Sequence, residues 1–174
     1  MILESARMVA DWLSDGTHGV NVLLASTPVD AGDSVPANLQ SIADETRDGN
    51  VARGQLPELM PGIAVTIDVI KNLDGQVTQV TRDGQVKVRI RVGVVNADTE
   101  NGVRDVSYYL RTAMRSLRKM FDQSVTAPMR TRNNIYLESC LEMLEQIVWT
   151  KDQPDTTFVT GYILATLQLR DLTP

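Results

Sequence analysis

One histidine and one cysteine are all this 174-residue chain offers by way of a base-and-nucleophile pair or soft metal ligands. His18 stands between Thr17 and Gly19, in a stretch that reads as a turn, so a solvated loop residue fits it better than a catalytic base. Cys140 lies in a Leu/Met-rich run, where a buried, inert thiol is expected, and a Cys–His dyad exists only on paper. Zinc needs three or four Cys, His or carboxylate ligands, and one His plus one Cys cannot supply the usual sets. Paired carboxylates occur at Asp30/Asp33, Asp44/Glu45 and Asp152/Asp155. Each pair sits in a loop context that suits solvated charge or turn capping rather than acid–base work. No Gly-rich phosphate loop joins a strand to a helix, and no Ser elbow is present. The chain therefore reads as a non-enzyme, with no cofactor and no metal.

Arginines are the more unusual feature. Arg89 and Arg91, with Lys87, alternate with apolar residues. Arg104, Arg111, Arg115 and Arg118 recur along a second stretch, with Tyr108 among them. Three readings of the second group are open. It is a solvated helix face, a subunit interface, or a row of phosphate contacts. Charge asymmetry bears on the choice. Residues 1–60 carry nine acids and three bases, whereas 104–132 carry seven bases and two acids, Asp105 and Asp122. Opposite poles on one domain suit head-to-tail contacts, which close into rings. The formal charge of −5 argues against nonspecific nucleic-acid binding. Arg89, Arg91, Arg104, Arg111, Arg115 and Arg118 are accordingly taken as the candidate interface.

The elements that hold these residues follow from periodicity. In 85–98, Val86, Val88, Ile90, Val92 and Val94 alternate with the cations, the mark of a half-buried strand. The polar segment TENG reads as a turn, followed by a helix from Asn101 to about Gln123. Val106, Leu110, Ala113, Leu117 and Met120 form its apolar stripe, opposite Arg104, Tyr108, Arg111, Arg115 and Arg118. Met1 to Ser14 reads as a first helix stopped at Asp15-Gly16. The type of the short apolar piece GVNVLLA stays open. Residues 26–38, rich in Pro, Gly, Asp and Ser, predict a long surface loop, either an interaction arm or a plain connection. LQSIADETRD predicts a short strand and a charged turn, and 54–62 an irregular link.

Ile63, Val65, Ile67 and Val69 predict a further strand with one apolar face. Asp74-Gly75 and Asp83-Gly84 are hairpin signals, so these strands are expected to form an antiparallel meander. Residues 124–133 read as a polar link. The run 134–149 fits both periods. Ile135, Leu137, Leu141, Met143, Ile147 and Trp149 suit a strand, while Leu137, Leu141, Leu144 and Val148 suit a helix. The last run, with Val159, Gly161, Ile163, Ala165, Leu167 and Leu169 on one face, is a strand in need of a partner. That need favours the strand for 134–149, with KDQPDT as the hairpin loop. The result is an α+β fold, with an antiparallel or mixed sheet packed by the long helix and the N-terminal helix, in one domain over 1–174.

A chain of this length can build a sizeable core. No apolar run approaches the roughly 20 residues that span a bilayer. The N-terminus has no basic start and does not look like a secretory signal. The single cysteine fits a reducing compartment.

The order of elements, from the N-terminal helix through GVNVLLA and IADETRD to the closing LQLRD, resembles the tail terminator (tail-to-head joining) family of long-tailed bacteriophages and prophages. The resemblance covers most of the chain and is one of pattern. It implies an α/β domain, assembly as a hexameric ring, and a virion protein of the tail or neck made in the host cytoplasm. The implied partners are the tail tube protein and the head connector; the absence of a spanning apolar run argues against a membrane, and the net charge argues against nucleic acid as a partner. A helix at 134–149 would depart from the pattern. A head-closure or neck protein is the alternative within the class. A small cytosolic ligand-binding domain or hydrolase is the alternative outside it.

Overall fold

The alternation around Ile90 becomes the centre of the molecule. A computed structural model of the chain describes residues 3–72, 83–96, 98–122, 130–153 and 156–172. Among the described residues ten elements follow one another: α1 (Leu3–Leu13), α2 (Val20–Leu24), β1 (Ser41–Asp44), α3 (Gly49–Ala52), β2 (Gly62–Asn72), β3 (Asp83–Asn96), α4 (Thr99–Met120), β4 (Thr131–Arg132), β5 (Ile135–Gln153) and β6 (Thr156–Asp171). The strands make one mixed sheet in the order β1-β2-β3-β6-β5-β4. Among the described residues only the β1–β2 pair is parallel. The fold is α+β, in a single compact domain.

Val86, Val88, Ile90 and Val92 on β3 are fully buried, as are Val106, Leu110, Ala113, Leu117 and Met120 on α4. The α4 stripe therefore covers the apolar side of the sheet, and each large side chain sealed there contributes roughly 1.5–3 kcal/mol. The face of β6 from Val159 to Leu169 is buried as its alternation predicts. Asn101 is not where α4 begins, and TENG is not a turn. Asp98 caps the helix by accepting from the Glu100 backbone N–H at 2.9 Å, so TENG forms its first turn. Gly102 serves close packing instead, since a Cβ there would lie 2.7 Å from Val159 Cγ2. No helix among the described residues is long and apolar enough to cross a membrane.

The run 134–149 is strand, as the unpartnered β6 required, and pairs with it from Ile135 to Gln153. Its face does not follow simple alternation. Irregularities at Leu137/Ser139, Cys140/Glu142 and Ile147/Trp149 shift the register. The core-facing set runs Ile135, Leu137, Cys140, Met143, and Leu141 is left half exposed. Each extra residue moves the following side chains to the other face. The register also shifts between Ile67 and Val69 on β2, so that Val69 pairs with Lys87 and Ile70 with Val86.

Three turn expectations change. Asp83-Gly84 opens β3, paired with Arg170 and Leu169, because the strand extends past the hairpin signal. The Asp74-Gly75 pair falls outside the described residues. Gln153 pairs with Thr156, so the β5–β6 connection is shorter than KDQPDT. The polar link at 124–133 contains a small strand, β4, that turns into β5 through Asn133 (φ 46°) and Asn134 (φ 63°). Two successive residues in the left-handed region suit a tight hairpin, and Asn tolerates it. The short helix α3, capped by Asp48, was also not expected.

The sheet curls. Six strands laid flat would put β1 and β4 about 24 Å apart at roughly 4.8 Å per step. Yet Asp11 of α1 holds both edges. It meets Arg47, just after β1, at 2.6 Å and Arg132 of β4 at 2.7 Å. Arg47 also pairs with the buried Asp44, and Arg132 with Glu4. Charges from the acidic N-terminal part and the basic 104–132 segment thus meet inside one chain.

Candidate interaction surfaces

The six arginines do not form one patch. The α4 layer covers one side of the sheet, so the residues that alternate with the buried valines of β3 leave by the other side. Arg89 and Arg91 therefore lie on one layer and Arg104, Arg111, Arg115 and Arg118 on the opposite one.

On the sheet side, Arg89 is compensated. It pairs with Asp68 at 2.5 Å and stands 5.3 Å from the ring centre of Tyr162. Arg91 has no carboxylate partner among the described residues. One of its terminal N–H groups donates to the Gly54 carbonyl. Burial lowers the pKa of Arg91, and the like charge of Arg89 adds to that. A half-open groove of about 490 Å³ runs beside it, lined by Gly54, Gln55, Leu56, Met60, Phe158 and Thr160.

On the helix side, Arg104 and Tyr108 are not free. Tyr108 is almost completely buried, against the expectation that it would share the solvent face. The 26–38 segment covers it. The Tyr108 hydroxyl accepts from the Asp30 N–H at 2.9 Å and donates to Asp33 at 2.8 Å. Arg104 reaches the same Asp33 at 3.4 Å. Tyr109 donates to the Ala37 carbonyl, Thr27 and Thr112 share a hydrogen bond, and Asn21 bonds Leu39 through both its amide groups. The long loop is thus strapped to α4. The exposed arginines are Arg111, Arg115 and Arg118. Arg111 lies over the Tyr108 ring at 5.9 Å, and Arg115 reaches the Ser26 carbonyl at 3.5 Å. None of the three meets a carboxylate among the described residues.

His18 and Cys140 each have their own partners. His18 stacks on Trp12 with ring centres 4.9 Å apart, and its Nδ1 lies 3.3 Å from Asp15. Its carbonyl accepts from the Ser116 hydroxyl, while Trp12 donates to the Ser116 carbonyl, so this turn is clamped to α4. Cys140 is partly buried on β5. Burial pushes its thiol up, offset in part by the charge of Arg118. No group of three or more His, Cys, Asp or Glu among the described residues is arranged to hold a metal ion.

Sequence reasoning missed the groove. Leu56 and Met60 read as part of an irregular link, and Phe158 and Thr160 fall outside the set that shares the predicted strand face. Only strand pairing brings them to Arg91. Compared with known proteins, the chain matches no family model and no curated protein.

Proposed function

We propose that this protein is a structural joining protein, a tail terminator that caps the tail tube of a long-tailed phage as a ring and forms the joint to the head. The observation that carries the reading is the row Arg111, Arg115, Arg118. Three exposed cations stand in line on the solvent side of α4, with no carboxylate of their own chain among the described residues. In an acidic protein such a row is suited to a carboxylate surface supplied by another subunit. Exposed Glu58 belongs to the link on the opposite layer, as a head-to-tail contact requires. The α+β architecture, with 134–149 as strand, agrees with what the resemblance implies. In this role the protein works by shape and charge, without a chemical step, and the sheet and helices hold the contact surfaces rigid.

Sedimentation across a concentration series, with negative-stain imaging, should reveal rings, alone or on purified tail tubes. Reversing Arg111, Arg115 and Arg118 to Glu should abolish them while thermal unfolding stays two-state. A wild-type chain that remains monomeric and leaves tail tubes uncapped refutes the proposal.

A further inference from the structure

The groove beside Arg91 lies on the layer opposite the exposed α4 row, beside the link that carries Glu58, and the inference about it holds for the chain whether or not a ring forms. Its walls are Leu56, Met60 and Phe158, and Arg91 is the charge that lines it among the described residues. Gly93 lies beneath these walls. A Cβ there would stand 2.4 Å from Leu56 Cδ1 and 3.2 Å from Met60 Sδ, so its bare backbone lets these side chains lie down on the sheet. The other arginine on this face, Arg89, is neutralised by Asp68. Among the described residues Arg91 meets no carboxylate; it stands next to apolar carbon and donates to the Gly54 carbonyl. An unmatched cation at the edge of an apolar slot is a site of stated preference. Apolar surface must enter the slot for burial to favour binding, and an anion must arrive with it to meet the guanidinium. The volume suits one large side chain and a neighbouring carboxylate. The half-open shape suits an extended segment laid along the surface rather than an enclosed small molecule. Met60 adds an adaptable wall.

We infer that this groove docks a partner protein through an extended segment in which an acidic residue adjoins an aromatic or large aliphatic one. The apolar side chain seats among Leu56, Met60 and Phe158, and the carboxylate pairs with Arg91.

Fluorescence anisotropy with labelled, end-blocked pentapeptides on the full chain tests this. The probes are Gly-Leu-Glu-Phe-Gly, its Lys-for-Glu counterpart, and Gly-Gly-Glu-Gly-Gly. The first should bind with a Kd on the order of 100 µM, as a short segment with few anchors does, and the other two at least about tenfold more weakly. Raising salt should weaken the first. Arg91→Gln and Gly93→Val should each weaken it at least about tenfold, one by removing the charge and one by lifting the walls. Val22→Ala, exposed on α2, should leave it unchanged. The peptide panel on wild-type protein decides the matter even if a variant folds poorly. Equal binding of the three peptides, or none at millimolar concentration, overturns the inference. So does Arg91→Gln binding as the wild type does. Binding of an oligonucleotide in preference to the acidic–apolar peptide would overturn it as well, by making Arg91 a phosphate contact.

Discussion

Arg89 and Arg91 leave one side of the sheet, while Arg111, Arg115 and Arg118 leave the outer side of the helix packed on the other. The two groups share a residue type and a regular spacing, but the structure treats them differently. The strand pair is half-buried and held by Asp68, Tyr162 and the Gly54 carbonyl. The helix row is exposed and held by little beyond a ring face and one carbonyl. Spacing along an element says which way a charge points. What meets it depends on which elements are brought alongside.

The largest expected effect comes from the layer that keeps the two groups apart. Leu117→Ala or Leu110→Ala opens a cavity between α4 and the sheet and should cost about 2–5 kcal/mol in urea unfolding. A loss below about 1 kcal/mol would mean that the layers are not sealed as described.

Next comes the strap that separates Arg104 and Tyr108 from the exposed row. Tyr108→Phe removes both hydroxyl bonds to the 26–38 segment, at Asp30 and Asp33, and should cost about 1–2 kcal/mol. Hydrogen exchange should quicken at Asp30 and its neighbours and leave β3 unchanged. If Asp30 exchanges no faster, the loop is not held by this contact.

Smaller still is the contrast between paired and unpaired charge. Asp11→Ala breaks the latch between the two sheet edges and should cost up to about 1 kcal/mol, since its partners are partly exposed. Arg118→Ala should stay within about 0.5 kcal/mol. Equal losses would erase the distinction drawn between the networked charges and the helix row.

The smallest effect is in acid. Burial raises the Asp15 carboxyl, but the backbone N–H groups of His18 and Thr17 and the His18 side chain together hold it below its ordinary value of 3.8. A depressed folded pKa means that this stabilisation is present above the unfolded value and fades as pH falls through the folded one. Asp15→Asn should therefore flatten the stability curve slightly below about pH 4 and leave the neutral range parallel to wild type. An unchanged acid limb would show that the turn beside Trp12 does not use this charge.

The sequence by itself determined the parts that rest on local period. The buried valines of β3, the α4 stripe and the face of β6 each repeat for long enough that one amphipathic solution stands out, because a single misplaced turn or slip would expose the whole set. It also marked 26–38 as loop and 134–149 as the strand β6 needs. Tertiary structure decided what depends on pairing between distant segments. A bulge reassigns Leu141, since a register shift is set by the neighbouring strand and leaves no local trace. Tyr108 is buried by a loop some 75 residues away in the chain. The groove exists only where the Gly54–Met60 link crosses β3 and β6. The curl that lets one aspartate hold both sheet edges belongs to the twist of six strands together, and that twist has no counterpart in any single run of residues.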